Sequence, residues 1–265
     1  MIRGLYTSGW SMLANSKNLD VITNNMANAN TTAFKKDTVV FESFPALLTK
    51  RINDTKSPTN PSANIGTMQL GSDVGEIFTY YTQGQLNQTN NKFDLAINDD
   101  NSGVTETPAF FTIGVMDAKD NTMKEFYTKD GSFVLNSNNQ LVTKNGDFVM
   151  GESGPITLAA GEFSVNEQGE IIQNGAIVDK LRIAQFSDAT QLRKYGDNLI
   201  QNDGSEVVDF KGTVLQGFTE QSNVNVVSEM VDMITVMRAY EANQKILQAQ
   251  DNTLQKVVNE VGVVR

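Results

Sequence analysis

The feature that most constrains this chain is a long run of heptad spacing near its C-terminus. Between residues 226 and 261, alternating steps of three and four lead through Val226, Met230, Met233, Met237, Tyr240, Gln244, Leu247, Asp251, Leu254, Val258 and Val261. Nine of these eleven positions are apolar, which is the pattern of a coiled-coil seam. A helix over these 36 residues extends roughly 54 Å. Such a seam needs a partner, which is either the N-terminal helix or another copy of the chain.

A second helix with the same spacing is predicted at the other end of the chain, over residues 3–28. Leu5, Met12, Leu19 and Met26 recur every seven residues, and Ile22 falls on the same stripe. These positions define one apolar face. Packing of both helices in the core of a single chain and packing between chains are both compatible with these stripes.

Asparagines mark the end of the N-terminal helix. The side chains of Asn24, Asn25, Asn28 and Asn30 compete with the backbone for hydrogen bonds and disfavour a helix interior. They indicate either a polar joint that bonds a neighbouring chain or a capped helix end at the surface.

The middle of the chain changes to a period of two. Asn145-Gly146 and Asn174-Gly175 predict two-residue type I′ hairpin turns. Many short strands punctuated by such turns are typical of an antiparallel sandwich or barrel-like domain. The candidate strands are residues 93–97, 110–115, 125–128, 132–135, 140–143, 163–165, 170–173, 177–179, 181–186 and 214–218.

These patterns together predict an α+β fold, mostly β with long terminal helices. The N- and C-terminal helices are expected to pair as a coiled coil, with a central antiparallel β domain inserted between them. Part of 44–50 is expected to be helical, and 53–64, a polar run with two prolines, reads as a linker. The predicted divisions are 1–30 for the N-terminal helix, 31–74 for a linker or extended arm, 75–220 for the β domain and 221–265 for the C-terminal helix.

Composition weighs against catalysis. The sequence contains no cysteine and no histidine, which excludes disulfides, thiolate or histidine nucleophile chemistry and most zinc sites. The best catalytic candidates are the carboxylates of Asp94, Asp99 and Asp100, because a glycoside hydrolase needs two carboxylates roughly 5–9 Å apart. Turn chemistry in an Asn/Asp loop accounts for them more simply. We expect no enzyme activity, no cofactor and no metal.

The charge is concentrated in the middle of the chain. The net charge is −10, of which residues 1–36 hold +3 and residues 222–265 hold −1. An acidic middle argues against nucleic acid as a partner, and near-neutral ends suit helices that pack against like copies. No apolar run approaches the roughly 20 residues of a membrane helix, and the first 30 residues lack an apolar leader pattern. We therefore expect neither membrane insertion nor Sec-type export.

A series of short motifs runs along the whole chain. The segments are NNMANANTTAFK at 24–35, GQL at 84–86 with Thr89, DLAI at 94–97, YTKDGSF at 127–133, QLVT at 140–143, GDNL at 196–199, SNVNV at 222–226, and the C-terminal positions Glu229, Met233, Ile234, Arg238, Tyr240, Glu241, Asn243, Lys245, Asp251, Leu254 and Gln255. Each motif alone is weak, whereas their series is specific. They resemble the motifs of bacterial flagellar rod and hook proteins, in the order that this family has them.

Two departures from the family pattern affect local structure. Ala33 stands where the family usually has Gly before Phe-Lys, so we expect a conventional turn there, because Ala tolerates positive φ poorly. The chain also has an insertion at 98–108 before Phe110.

The resemblance implies a structural subunit of the flagellar basal-body rod, located in the cell envelope. It implies export by the flagellar type III apparatus, and polymerisation with copies of itself and with other rod and hook subunits. A hook-type subunit is the alternative, and a peptidoglycan-degrading enzyme is a more distant one. The modest length favours a rod subunit over the hook subunit, which usually carries a further outer domain. The FPALL segment at 44–48 with its short linker favours a proximal-rod (FlgF-like) over a distal-rod (FlgG-like) subunit.

The seam and the resemblance together predict the residues of the assembly interface. Arg238 and Glu241 form either a surface pair or a contact to a neighbouring subunit. The polar Gln244 and Asp251 either set the register or face a lumen. The predicted interface residues are Leu5, Met12, Leu19, Ile22, Asn24, Asn25, Met26, Asn28, Phe34, Asn223, Asn225, Val226, Met230, Met233, Met237, Arg238, Tyr240, Glu241, Leu247, Leu254 and Val258.

Overall fold

The computed structural model describes residues 2–51, 63–99, 107–116, 122–159, 161–196 and 198–261. Most of the predicted linker at 53–64 and of the insertion at 98–108 lies outside these ranges. Within them the chain forms helices α1 (Ile2–Ala27) and α2 (Val226–Lys256), a 3-10 turn (Ala189–Gln191) and a final π-helical turn (Val257–Val261). The strands are β1 Asp37–Ser43, β2 Leu47–Arg51, β3 Ala63–Met68, β4 Ser72–Thr79, β5 Leu86–Gln88, β6 Leu95–Asn98, β7 Ala109–Met116, β8 Met123–Thr128, β9 Val134–Leu135, β10 Leu141–Val142, β11 Phe148–Val149, β12 Phe163–Val165, β13 Glu170–Gln173, β14 Ala176–Lys180, β15 Ile183–Phe186, β16 Leu192–Lys194, β17 Ile200–Asn202, β18 Val207–Val208, β19 Thr213–Gln216 and β20 Phe218–Glu220.

The predicted fold class is confirmed as α+β, with a helix at each end and a β-rich middle. The chain divides into two compact units. Unit 1 contains residues 1–26, 37–78 and 226–265, and unit 2 contains residues 27–36 and 79–225. The terminal helices thus share unit 1 with a segment that the sequence pattern had assigned to a linker or arm.

Unit 1 combines the two helices with two antiparallel ribbons, β1–β4 and β2–β3. The expectation of partial helix at 44–50 is wrong, because Leu47–Arg51 pairs as β2 with Ala63–Met68. That pairing joins segments more than ten residues apart, so periodicity within a short window cannot reveal it. The ribbons attach to α1 through Trp10 and Phe44, whose ring centroids lie 5.1 Å apart, and through Thr7 Oγ1, which donates to the Leu70 carbonyl at 3.0 Å.

Unit 2 is built on a nine-stranded sheet with the order β16-β17-β8-β7-β11-β10-β9, in which β15 also pairs with β7 and β18 pairs with β15. A three-stranded sheet β12-β13-β14 and the pairs β6–β19 and β5–β20 complete the β structure of its described residues. Its core is apolar and rich in aromatic rings, with Phe111 edge-on to Phe133 at 5.3 Å. The largest buried cluster contains Leu95, Ile97, Ala109, Phe111, Ile113, Phe133, Leu141, Val149, Ile156, Leu158, Phe163, Ile171, Leu181 and Val214.

The predicted strands of the middle region are present, and β12 and β13 match in their bounds. The I′ turn is confirmed at Asn174-Gly175, where φ is 54° and 80°. At Asn145-Gly146 the prediction is wrong, since only Gly146 has positive φ there and a I′ turn needs both.

Ala33 corrects another expectation. Its φ is 59°, so the turn uses the left-handed conformation that the family's Gly would adopt freely, and not a conventional one. The strained residue is held in place because its N–H donates to the Glu220 carbonyl at 2.8 Å, and because its side chain is buried. Left-handed geometry costs an L-residue about 1–2 kcal/mol.

Candidate assembly interface

The helix α2 is long and largely uncovered within one chain. It spans 31 residues, and Glu229 is its one buried residue. The C-terminal helix that was predicted within 221–265 is present from Val226 to Lys256, and a π-helical turn continues it to Val261. A helix with so little burial derives little stability from its own chain.

The residues of α2 that their own chain covers form a line along the helix, and this line is rotated from the predicted seam. It shares Met233, Tyr240, Leu247 and Leu254 with the predicted ladder, and otherwise runs through neighbouring positions. The exposed rungs of the predicted ladder are Val226, Met230, Met237, Gln244, Asp251 and Val258. The line that is covered instead is Glu229, Met233, Val236, Tyr240, Asn243, Leu247, Gln250 and Leu254.

An apolar surface is exposed on the first three turns of α2. Val227 is 67%, Val231 58% and Ile234 52% exposed, and steps of four and three place them on one side of the helix. Met230 and Met237 flank them and are also exposed. We call these five residues the exposed face of α2. Contiguous exposed apolar residues are typical of interaction sites, so this face is a candidate interface.

On α1 the predicted stripe faces inward. Ile22 is buried, whereas Leu5, Met12, Leu19 and Met26 are half-buried. A second line of apolar residues on α1 is exposed and consists of Tyr6, Trp10 and Leu13.

The two helices touch near both ends of α1, in opposite chain directions. Asn25 Nδ2 donates to Glu229 Oε2 at 3.2 Å. At the other end, a Cβ at position 4 would lie 2.6 Å from Gln250 Nε2. Glycine at this position therefore permits the close approach of the Gln250 side chain to α1. The two contacts are separated by three heptads in each helix, which fits an antiparallel pair in one register.

Three of the predicted interface residues are engaged inside the chain. Asn25 is buried and binds both the carbonyl and the N–H of Asp37, at 2.8 and 3.0 Å. Phe34 is buried with the Lys194 ammonium 4.4 Å from its ring centroid. Asn223 accepts from the Lys36 N–H at 2.7 Å. These contacts give all three a positioning role, and a contact of theirs to another subunit stays a prediction.

The other polar candidates are placed as follows. Asn24 and Asn225 are exposed, and Asn28 accepts a bond from Thr31 Oγ1 at 3.1 Å. Arg238 and Glu241 are exposed, and among the described residues Arg238 forms no ion pair. Its guanidinium is thus open to a partner's carboxylate.

A buried ion cluster in unit 2 was missed by sequence reasoning. Lys35 pairs with Glu220, and Lys129 pairs with Asp99. Lys129 Nζ also lies 3.8 Å from Glu220 Oε2, which joins the two pairs. The side chains of Lys35, Lys129 and Glu220 are at most 3% exposed.

Burial lowers the pKa of Lys35 to about 8. The loss of hydration is the largest cause, and repulsion by the Lys129 charge adds to it, while Glu220 and Asp99 act in the opposite direction. The only available sequence signal was that Lys35 and Lys129 both fall inside the quoted motifs. Burial of their charge cannot be read from residue spacing.

The carboxylates considered for catalysis have structural partners. Asp94 accepts from Thr89 Oγ1 at 2.6 Å and from Asn91 Nδ2 at 3.1 Å, Asp99 pairs with Lys129, and Asp100 lies outside the described residues. In the part of the chain that the structure describes, no group of three or more acidic side chains is arranged to hold a metal ion. No described helix is long and apolar enough to cross a membrane.

Family models match three parts of the chain. A model for the flagella basal body rod protein matches residues 5–35. A model for the flagellar hook protein FlgE/F/G D1 domain matches 108–173. A model for the flagellar basal body rod FlgEFG protein C-terminal matches 215–260.

Full-length relatives agree with these models. The chain is 32% identical to the flagellar hook-basal body complex protein FlhO of Bacillus subtilis, over 100% of both chains. It is 34% identical to the flagellar basal-body rod protein FlgG of Buchnera aphidicola subsp. Acyrthosiphon pisum, covering 97% of this chain and 99% of the relative. It is 32% identical to FlgG of Borreliella burgdorferi, covering 96% and 97%.

The chain belongs to the flagellar rod and hook protein family. Two of the family models cover most of α1 and of α2. Both helices therefore lie in segments that belong to the family. The relatives described above are named FlgG and FlhO. These names do not test the expectation of a proximal-rod (FlgF-like) subunit, which stays a prediction.

Proposed function

We infer that this chain is a structural subunit of the flagellar basal-body rod that polymerises through its terminal helices. The relatives that match over its full length are rod and hook-basal body proteins. The observation that carries the mechanism is the exposed face of α2, where five apolar side chains from Val227 to Met237 are left uncovered by their own chain. Burial of a half-exposed apolar side chain is worth about 1 kcal/mol, so several such faces in contact stabilise a polymer.

In this proposal α1 and α2 pair as an antiparallel coiled coil. Support comes from the contacts at Asn25–Glu229 and Gly4–Gln250, three heptads apart on both helices. The inward-facing stripes of Leu5, Met12 and Leu19 on α1 and of Met233 and Leu247 on α2 supply the seam. The coil uses one side of α2, and the exposed face remains for neighbouring subunits.

The partners follow from this mechanism and from the family. Copies of this chain and other rod or hook subunits would cover the exposed face, and the flagellar type III apparatus would export the chain. A hook-type subunit is the alternative within the family, because the model matching residues 108–173 is named for hook and rod proteins together. A role in catalysis is not proposed, since the relatives are named as rod and hook-basal body proteins.

The test is a charge placed on the exposed face. Ile234→Glu should leave the free subunit folded, because Ile234 is half exposed in it, and should abolish motility by placing a carboxylate in a buried contact. Motility is measured in soft agar, and rods are counted in isolated basal bodies by electron microscopy.

Ile177→Glu is the matched control. Ile177 is 62% exposed and lies in β14 of unit 2, away from the helices in sequence. Normal swimming of the Ile234→Glu strain, with complete rods, would contradict the assigned interface.

A further inference from the structure

We propose that the buried ion cluster of unit 2 is a clasp that fixes the chain passages leading to and from the helices. Three segments of unit 2 form these passages: residues 27–36 between α1 and β1, the segment that begins at Thr79 at the end of β4, and the segment that ends at Asn225 before α2. The clasp consists of Lys35, Glu220, Lys129 and Asp99, together with the backbone of 82–84. It goes beyond the exposed face of α2, which contains none of these residues.

The pair Lys35–Glu220 joins the first of these passages to the last. Besides Glu220, Lys35 Nζ donates to the Thr82 carbonyl at 2.8 Å, and the Gly84 N–H donates to Glu220 Oε1 at 2.7 Å. One buried ion pair therefore binds the segment that follows α1, the segment that follows β4 and the segment that precedes α2.

Backbone bonds around the pair repeat the same connections. The Ala33 N–H donates to the Glu220 carbonyl at 2.8 Å, the Tyr80 N–H to the Lys36 carbonyl at 2.9 Å, and the Gln221 N–H to the Gln85 carbonyl at 2.9 Å. Asn223 adds side-chain bonds to Lys36 N at 2.7 Å and to the Tyr80 carbonyl at 2.9 Å. All three passages are thus held to one another.

Gly84 allows the segments to approach this closely. A Cβ at position 84 would lie 1.9 Å from the Gln221 carbonyl oxygen, which leaves no room for any side chain. Two of the motifs therefore contribute to the same clasp within unit 2: GQL at 84–86 and the Phe34-Lys35 end of the N-terminal motif.

Lys129 and Asp99 anchor the clasp to the sheet. Lys129 follows β8 directly, and its ammonium lies near both carboxylates. Glu220 Oε2 accepts no hydrogen bond from the described residues, and the Lys129 ammonium lies 3.8 Å from it. A buried pair is weak evidence for net stability, but the loss of one partner is strongly destabilising. The cluster is therefore suited to hold a defined local arrangement.

Hydrogen exchange of the isolated subunit tests the clasp. In Lys35→Met, the amides of Ala33, Tyr80 and Gln221 should exchange about tenfold faster or more, because they open locally, while the amides at the centre of β7 keep their rates. Lys92→Met is the control, because Lys92 forms an exposed pair with Glu162 in the same unit.

The double variant Lys35→Met/Glu220→Gln separates the pair from general damage. It removes both charges and should exchange more slowly at these three amides than Glu220→Gln alone, which leaves Lys35 buried beside Lys129 without its carboxylate. The clasp would be overturned by unchanged exchange rates at the three amides in Lys35→Met, or by an equal rise in the exchange rates of the β7 amides. It would also be overturned if the three amides exchanged no more slowly in the double variant than in Glu220→Gln.

Exchange of the free subunit does not depend on polymerisation. The clasp can therefore fail while Ile234→Glu still abolishes motility, and the reverse is equally distinguishable.

Discussion

At the scale of single residues, Lys35 shows how burial changes the chemistry of an ordinary side chain. Its ammonium is nearly inaccessible and faces Glu220, Lys129 and Asp99. The carboxylate attracts the charge, yet the lost hydration and the second lysine outweigh this attraction, and the pKa falls to about 8. Lys35 is then partly neutral in mildly alkaline solution.

The corresponding prediction is a pH dependence of stability above pH 8. Below that value Lys35 is protonated in both the folded and the unfolded state and adds no pH dependence. Between about 8 and 10.5 the unfolded chain binds more protons, so the free energy of unfolding contributed by Lys35 rises by up to about 1.4 kcal/mol per pH unit.

Two measurements check this prediction. The ¹³Cε resonance of Lys35, assigned by its absence in Lys35→Met, should titrate with a midpoint near 8. Denaturant unfolding should show that the stability of the natural protein rises relative to Lys35→Met over the same pH range. A Lys35 midpoint above about 10 would contradict the depressed pKa.

At the scale of elements, the register of α2 is the main departure from the sequence pattern. Heptad counting favoured the line with most apolar residues, whereas the structure covers the adjacent line, which includes Glu229, Asn243 and Gln250. The two lines share Met233, Tyr240, Leu247 and Leu254. The remaining positions shift by one residue, which is about 100° around the helix. Met230 and Met237, which this shift leaves uncovered, join Val227, Val231 and Ile234 in the exposed face.

A pair of substitutions distinguishes the two registers. Gln250 Oε1 is buried without a hydrogen-bond partner among the described residues, so Gln250→Leu should raise the stability of unit 1 by about 1 kcal/mol. Gln244→Leu, at an exposed rung of the predicted ladder, should leave the stability of the free subunit unchanged. Thermal or urea unfolding of the isolated chain measures both.

The opposite ranking, with Gln244→Leu stabilising and Gln250→Leu neutral, would favour the seam predicted from the sequence.

At the scale of the whole molecule, the two units have different sources of stability. Unit 2 has a continuous apolar core around Phe111 and Phe133. In unit 1, α2 buries a single residue. Its two-stranded ribbons expose Leu47, Leu48 and Ile65. Isolated two-stranded ribbons are marginal in water, so unit 1 is the part that gains most from neighbours.

Removal of residues 225–265 should therefore separate folding from assembly. Unit 2 keeps its core and its clasp, so the truncated chain should retain its β-rich circular dichroism and a cooperative unfolding transition. It should fail to restore motility to a strain that lacks the full-length chain. Swimming in soft agar supported by the truncated chain would show that α2 is dispensable for assembly.

The sequence by itself determined the two terminal helices, most strands between 93 and 218, and the family, because these depend on local periodicity and on short motifs. It could not determine the ribbons at 37–79. Their strand pairings are non-local, and apolar and polar residues alternate only weakly along their strands. Nor could it determine that Lys35 and Glu220 meet, because they are 185 residues apart. The tertiary structure alone decided which side of α2 is covered. Heptad spacing defines a set of neighbouring stripes, and only the shape and polarity of the packed partner select one of them.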